Sequence, residues 1–314
     1  MLPAALLPLA VLVVVLPVAL LSRRRLRTTA VTIPPELATG ALALGGRQRR
    51  VLTWALGTGA AVGLYSAIVQ VGRPDLVGLP VLLAPVLAAA AVLLVLVVTP
   101  PPRPSEVSGL PGTSDVDTEG RPWSFAPRWG FVLPASAAVL LLGYLALTAG
   151  LATPDDGGRM RAYTLACPSA SMESTATPYP GGFYGGPLAL GAVAVVVLAA
   201  VALARIARRP RVGGPETAGL DDALRAASTR AVLGVAAAGV LLPFGAVLIL
   251  AGAATYSVAR NLGGACSTAA LSTGAWTQNV VGLLLVVLGT GLALAVPVTA
   301  RTGLRTAAPA EGAR

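Results

Sequence analysis

The sequence predicts an all-α integral membrane protein, a bundle of about seven transmembrane helices, and three observations carry that prediction. Hydrophobic residues make up 55% of the 314 and charged residues only 11%, with a mean hydropathy of +0.77, a composition of the membrane class rather than of water-soluble domains. Apolar runs long enough to cross a bilayer, which takes about 20 residues as a helix, recur at 3–22, 51–71, 78–99, 130–152, 187–206, 231–255 and 280–299. No charged side chain stands in the middle of any of these runs, as expected where a charge at mid-bilayer costs about 3 kcal/mol on insertion scales.

Arginine sets the expected orientation. With the N-terminus outside and the C-terminus cytoplasmic, the four cytoplasmic segments hold 19 of the 23 basic residues, leaving Arg73, Arg159, Arg161 and Arg260 outside. That is the positive-inside bias, and the opposite orientation inverts it. The first run, 3–22, reads as a retained anchor and not a signal peptide. No basic residue precedes it, and Arg23, Arg24, Arg25 and Arg27 follow. The chain has neither lysine nor histidine and is rich in Ala, Gly, Val, Leu, Pro and Arg. This is the usage of a high-GC genome, and it points to a bacterial plasma membrane.

Along the chain, Pro34-Pro35-Glu36-Leu37 opens a helix-compatible stretch that ends in Arg47, Gln48, Arg49 and Arg50, an acid first and bases last as the helix dipole prefers. Run 51–71 contains Gly59 and Gly63 at small-x-x-x-small spacing, which lets another helix approach. After run 78–99, residues 100–128 begin Pro100-Pro101-Pro102-Arg103-Pro104 and continue through Ser, Gly, Asp and Glu, a flexible cytoplasmic linker. Runs 130–152 and 187–206 flank a long outer loop, 153–186. Its pairs Gly181-Gly182 and Gly185-Gly186 predict mobility beside the next span. Before run 231–255, Pro215-Glu216 leads into a segment that places Leu220, Leu224 and Ala227 on one helical face and ends at Arg230. This segment and the one after Pro34 are read as juxtamembrane helix beginnings, alternatively as docking helices for a cytoplasmic partner. The second outer loop is 256–279, and run 280–299 completes the set. Trp54, Trp123, Trp129 and Trp276 sit near span ends, where amphipathic rings anchor. A weak internal repeat relates Leu133-Pro134 and Gly143 to Leu242-Pro243 and Gly252. Each is followed by an Ala-Cys-x-x-Ala, at Ala166–Ala170 and Ala265–Ala269.

Cys167 and Cys266 are the only cysteines, and the topology puts both in outer loops on the oxidising side, so they are expected to form a disulfide. No catalytic residue, metal site or cofactor is assigned. With no histidine there is no His-dependent triad or imidazole ligand, and with no lysine there is no Schiff base. The adjacent carboxylates Asp155-Asp156 and Asp221-Asp222 lie in polar stretches and are read as solvated. The net charge of +10 does not imply nucleic acid, because the arginines flank spans and do not gather on a soluble face. The polar residues Tyr65, Gln70, Tyr144 and Thr148 lie within or at the ends of spans and are candidates for the wall of a ligand pocket; interhelical hydrogen bonding is the simpler role for them.

Two functions follow from this inventory. One is a non-enzymatic subunit or scaffold of a membrane complex, in contact with lipid and with a membrane or cytoplasmic protein partner. The other is a permease-like component that binds or moves an apolar or lipidic solute, driven by a separate ATPase.

Overall fold

A computed structural model of the chain describes residues 31–33, 38–99, 125–126, 128–167, 172–209, 218–263, 266, 269–299 and 304–306. The apolar run 3–22 and nearly all of the linker 100–128 lie outside the described residues. Among those described, six helices are long and apolar enough to cross a membrane. They are α1 (Ala38–Gly72), α2 (Leu79–Val98), α3 (Arg128–Leu151), α4 (Gly182–Ala207), α5 (Ala218–Leu262) and α6 (Ala269–Thr299). Strands β1 (Val31–Ile33) and β5 (Leu304–Thr306) pair in parallel at one end of the bundle. Strands β2 (Thr153–Pro154), β3 (Met160–Cys167) and β4 (Met172–Ala176) form an antiparallel sheet at the other.

The ends of the helices are tied in a way that fixes their alternation. At one end, Arg159 Nη1 donates to Asp75 O at 2.7 Å and Tyr184 Oη to Val77 O at 2.7 Å, fastening the α1–α2 turn to the β2–β3 turn and to the first turn of α4. Cys167 and Cys266 form a disulfide at the same end, with Cα atoms 5.8 Å apart, joining the α3–α4 and α5–α6 connections. The opposite end gathers Arg47, Arg49, Arg50, Arg128, Arg205, Arg208 and Arg209, together with the β1–β5 pair. An even number of crossings between β1 and β5 returns the chain to the side on which it started, as that pairing requires.

Both amphipathic stretches seen in the sequence are the first turns of the helices they precede. Helix α1 runs unbroken for 35 residues, about 52 Å at 1.5 Å per residue. Helix α5 runs for 45, about 67 Å, roughly twice the hydrocarbon thickness of a bilayer. Leu220, Leu224 and Ala227, aligned on one face in the sequence, are buried inside the protein.

Helix α5 is the centre of the bundle. In its most apolar 18-residue window 78% of the residues are buried, against 22–33% in the other five helices. It packs against α2, α3, α4 and, most extensively, α6. Its inner length, Arg230-Ala-Val-Leu-Gly-Val-Ala-Ala-Ala-Gly-Val-Leu-Leu-Pro, is mostly small, which lets neighbouring backbones approach. Backbone meets backbone at Gly245 of α5 and Gly282 of α6. A Cβ on Gly245 would stand 2.5 Å from Gly282 O, and one on Gly282 would stand 2.7 Å from Gly245 O.

Among the described residues, the outer loop is built largely of strand. Tyr163 to Cys167 pair in register with Ala176 to Met172, and Thr164 Oγ1 lies 2.8 Å from Thr153 Oγ1 and 2.9 Å from Thr175 Oγ1, a threonine ladder across the three strands. The sheet caps the last turns of α5, with Ala152, Cys167, Ala176 and Tyr179 buried against Ala251, Ala254, Val258 and Leu262. Gly181, where mobility was expected, is wedged against Met160 O and the Ala152 Cβ, and Gly182–Gly186 already belong to α4. The repeat suggested by the sequence meets unlike surroundings. Gly143 faces open space, whereas a Cβ at Gly252 would lie 2.8 Å from Ala275 O.

Because the α5–α6 contact leaves no room for a methyl, Gly245→Ala is expected to cost about 1–3 kcal/mol, the usual range for overpacking. It should appear as a lower thermal midpoint in detergent. Gly57→Ala, with nothing within 4 Å, should leave that midpoint unchanged or raise it; equal loss in both would remove the close-packing argument.

Candidate functional site

The arginine-rich end contains a cavity of about 470 Å³, within the size range of small-molecule sites. Four helices form it. Helix α1 contributes Leu44, Val51 and Leu52, α2 its last turn with Leu96 and Thr99, α4 its last turns from Ala202 to Arg209, and α5 the stretch from Leu224 to Val232. The lining is mostly aliphatic, interrupted by Gln48, Thr99 and Ser228, and its cations sit at the rim, Arg205 and Arg208 exposed and Arg47 and Arg209 half-buried. Among the described residues no carboxylate lines it.

The cavity exists because α1 leans on α2 and meets α5 at few points. Across the gap Gln48 Nε2 donates to Ser228 Oγ at 2.9 Å and to Leu224 O at 3.2 Å. These bonds hold the α1 wall at a fixed distance from α5 without filling the space between them.

One wall adjoins a buried charge cluster. Arg225 is 2% exposed, and its Nε donates to Asp221 Oδ2 at 2.6 Å, one turn away on α5. Its Nη2 donates to Arg209 O at 2.6 Å and its Nη1 to Ala207 O at 3.2 Å. The guanidinium therefore satisfies carbonyls that the C-terminus of α4 leaves without helical partners, at the negative end of the helix dipole. Phe125 stacks on it, its ring centroid 5.5 Å from Cζ. The other oxygen of Asp221 accepts from Arg209 Nη2. One buried carboxylate thus serves two guanidiniums, and the cluster carries net positive charge beside a cationic cavity. Arg209 Nε is buried and donates to no acceptor among the described residues.

Asp221 corrects the sequence reading. Expected to be solvated, it is 2% exposed and doubly ion-paired. Asp155 corrects it as well, because its side chain is only 6% exposed. Asp155 Oδ1 accepts from the backbone N–H of Arg159 at 2.8 Å and of Gly157 at 2.9 Å, while Oδ2 accepts from Arg161 Nε. The Arg159 N–H, acting with Gly157 and Arg161 against partial burial, holds the Asp155 carboxyl below the usual carboxylate range. Nearby, burial and then the charge interaction with Tyr163, whose ring stacks on the Tyr179 ring, push the Tyr179 hydroxyl up to about 12.

The four polar residues singled out in the sequence take separate places, none of them on the cavity. Tyr65 is 67% exposed on the outer face of α1. Gln70 Oε1 accepts from the Gly78 N–H at 2.8 Å and closes the α1–α2 turn. Tyr144 and Thr148 share a face of α3, where Tyr144 packs on Phe244 with centroids 6.1 Å apart and buried Thr148 donates to Leu145 O at 3.1 Å. The cavity was missed because its walls are the ends of helices far apart in sequence, as the separation of 180 residues between Gln48 and Ser228 illustrates. The Asp221/Arg225 spacing of four was the one visible clue.

Comparison with protein-family models, with curated proteins and with solved structures gives no match for the chain. The functional reading therefore rests on the geometry above.

The Asp155 knot has a pH signature. A carboxyl whose folded value lies below its unfolded one, 3.8 in the unperturbed group, adds stability that is present above the unfolded value and lost as pH falls through the folded one. Thermal midpoints in detergent should be flat at neutral pH and fall in the acid range below about pH 4, the carboxylate range. Asp155→Asn should lower the neutral midpoint and flatten the acid decline. An unchanged acid profile in that variant would assign the decline to other groups.

Proposed function

We propose that the chain is a non-enzymatic multi-pass protein of a bacterial plasma membrane that takes up an apolar or lipidic molecule in the cavity at its arginine-rich end, as a permease-like component does. The observation that carries this reading is the cavity itself, aliphatic inside, cationic at its rim, and set where the helices leave the apolar layer. A partner ATPase would supply any energy that movement of the ligand requires.

The arginine-rich end is cytoplasmic in this reading, with the run 3–22 as a seventh span and the N-terminus outside. The asymmetry of arginine supports it, and a disulfide at the opposite end suits an oxidising exterior. An impermeant maleimide applied to whole cells should then label Asp156→Cys, on the exposed β2–β3 turn, and leave Arg208→Cys unlabelled until the cells are opened; the reverse pattern inverts the topology.

A second reading, a scaffold subunit, is favoured by the lengths of α1 and α5. Both outrun the bilayer and add ordered surface at the arginine-rich end for a protein partner. Purification from the native membrane in mild detergent, followed by mass spectrometry of lipids and proteins, separates the two. We expect a defined lipid retained at about one per chain. A stoichiometric protein partner with no retained lipid would replace the cavity reading with the scaffold.

A further inference from the structure

The charge of the cavity specifies its ligand more closely than its shape does. Resting on the reading that the cavity holds a lipidic molecule, we propose that its ligand is an anionic phospholipid, with the phosphate among Arg205, Arg208 and Arg209 and the first part of an acyl chain against Leu44, Leu52 and Leu96.

Four observations converge on that class. First, the rim carries four arginines, and no carboxylate lines the cavity among the described residues. A single-sign ring of this kind at the membrane boundary attracts an anion and repels a cation, and basic pockets between helices are where acidic lipid headgroups bind. Second, the neighbouring cluster does not neutralise itself. Asp221 balances one of two guanidiniums, and Arg225 is fully committed to it and to the carbonyls of α4. Positive charge therefore remains on the Arg209 side, which faces the cavity. Third, Arg209 Nε is a buried donor with no acceptor among the described residues. Leaving a buried donor unmade is costly, and more so for a charged group, so an acceptor arriving through the cavity fits it. Fourth, guanidinium presents a planar fork that matches phosphate oxygens two at a time, which suits the arginines of this rim.

The aliphatic interior adds the remaining requirement. A soluble phosphate ester would gain the arginine contacts but leave the walls at Leu44, Leu52, Leu96 and Val232 against water. A neutral lipid would cover the walls and bring no anion to the cationic rim. Only a molecule with both parts satisfies both halves of the cavity.

The test uses the full-length protein in detergent, titrated with fluorescently tailed phosphatidic acid, phosphatidylcholine and diacylglycerol. We expect phosphatidic acid to bind at least ten-fold more tightly than either of the others, and to lose at least ten-fold in Arg205→Gln/Arg208→Gln. The control Arg49→Gln/Arg50→Gln removes two exposed arginines of α1 that do not line the cavity, and it should change binding less than two-fold. Glycerol 3-phosphate in millimolar excess should not displace the lipid. Equal binding of all three lipids overturns the anionic class and leaves the cavity reading standing. Equal loss in the two double variants reduces the preference to general surface charge and overturns the site. Displacement by glycerol 3-phosphate reassigns the arginines to a soluble phosphate, and failure of every lipid to bind overturns both this inference and the function it rests on.

Discussion

The close approach of neighbouring helices to α5 is the constraint on which the rest of the structure depends. In a bilayer, the hydrophobic effect that assembles soluble cores gives helices no reason to prefer one another over lipid tails. What remains is contact, and contact is greatest where backbones meet, as α5 and α6 do at Gly245 and Gly282. A helix so rich in alanine, glycine and valine can be surrounded by α2, α3, α4 and α6 at once. Being surrounded, it can be longer than the membrane is thick. Its two overhangs then become the frame of each end, with Ala254 to Leu262 as the floor of the β-sheet cap and Leu224 to Val232 as a wall of the cavity.

The same helix decides where charge goes. A fully buried arginine is admissible only where it is paired and hydrogen-bonded, and Arg225 meets that condition by closing the C-terminus of α4 as well as binding Asp221. The carbonyls need the donor, and the donor needs the carboxylate. Arg209, drawn to the second oxygen of the same carboxylate, brings surplus positive charge to the edge of the cavity. The sign of the candidate site is thus a by-product of ending α4 against α5.

Most of the fold was legible because bilayer physics writes itself into composition. Helices α2 to α6 lie over the apolar runs with boundaries shifted by a few residues, apart from the long starts of α5 and α6. The first run, 3–22, lies outside the described residues. The long start of α5 was half visible, since Leu220, Leu224 and Ala227 mark a face but do not say that it is buried inside the same chain. The outer sheet was missed although Met160–Cys167 contains a strand-compatible Tyr-Thr-Leu, because glycine and aspartate in the surrounding loop outweighed eight residues of pattern. Asp155 and Asp221 were misread for one reason. A carboxylate's surroundings come from elements distant in sequence or from a turn's backbone N–H groups, and neither is written in the adjacent residue. Cys167 and Cys266 were easy by comparison, because a pair of lone cysteines assigned to one side of a membrane has a single partner available.

The two ends of the bundle differ in how they are closed, and in the proposed reading this bears on where a ligand would enter. At the disulfide end, a covalent bond joins two connections. Arg159 and Tyr184 clamp the α1–α2 turn, and Gln70 closes that turn from within. At the arginine-rich end, two hydrogen bonds from Gln48 span the opening between α1 and α5. Each is worth about 1 kcal/mol net, and the β1–β5 pair ties the same end between the segments that precede α1 and follow α6. Helix α1 packs chiefly on α2 and presents an exposed apolar face that includes Leu64, Ile68 and Val71, so a small tilt about its clamped end exchanges lipid contacts for lipid contacts. Among the described residues, the covalent tie is at the disulfide end, and hydrogen bonds and the β1–β5 pair join the end that carries the arginines. In the proposed reading, a lipid would enter at the end where its headgroup meets the most positive charge.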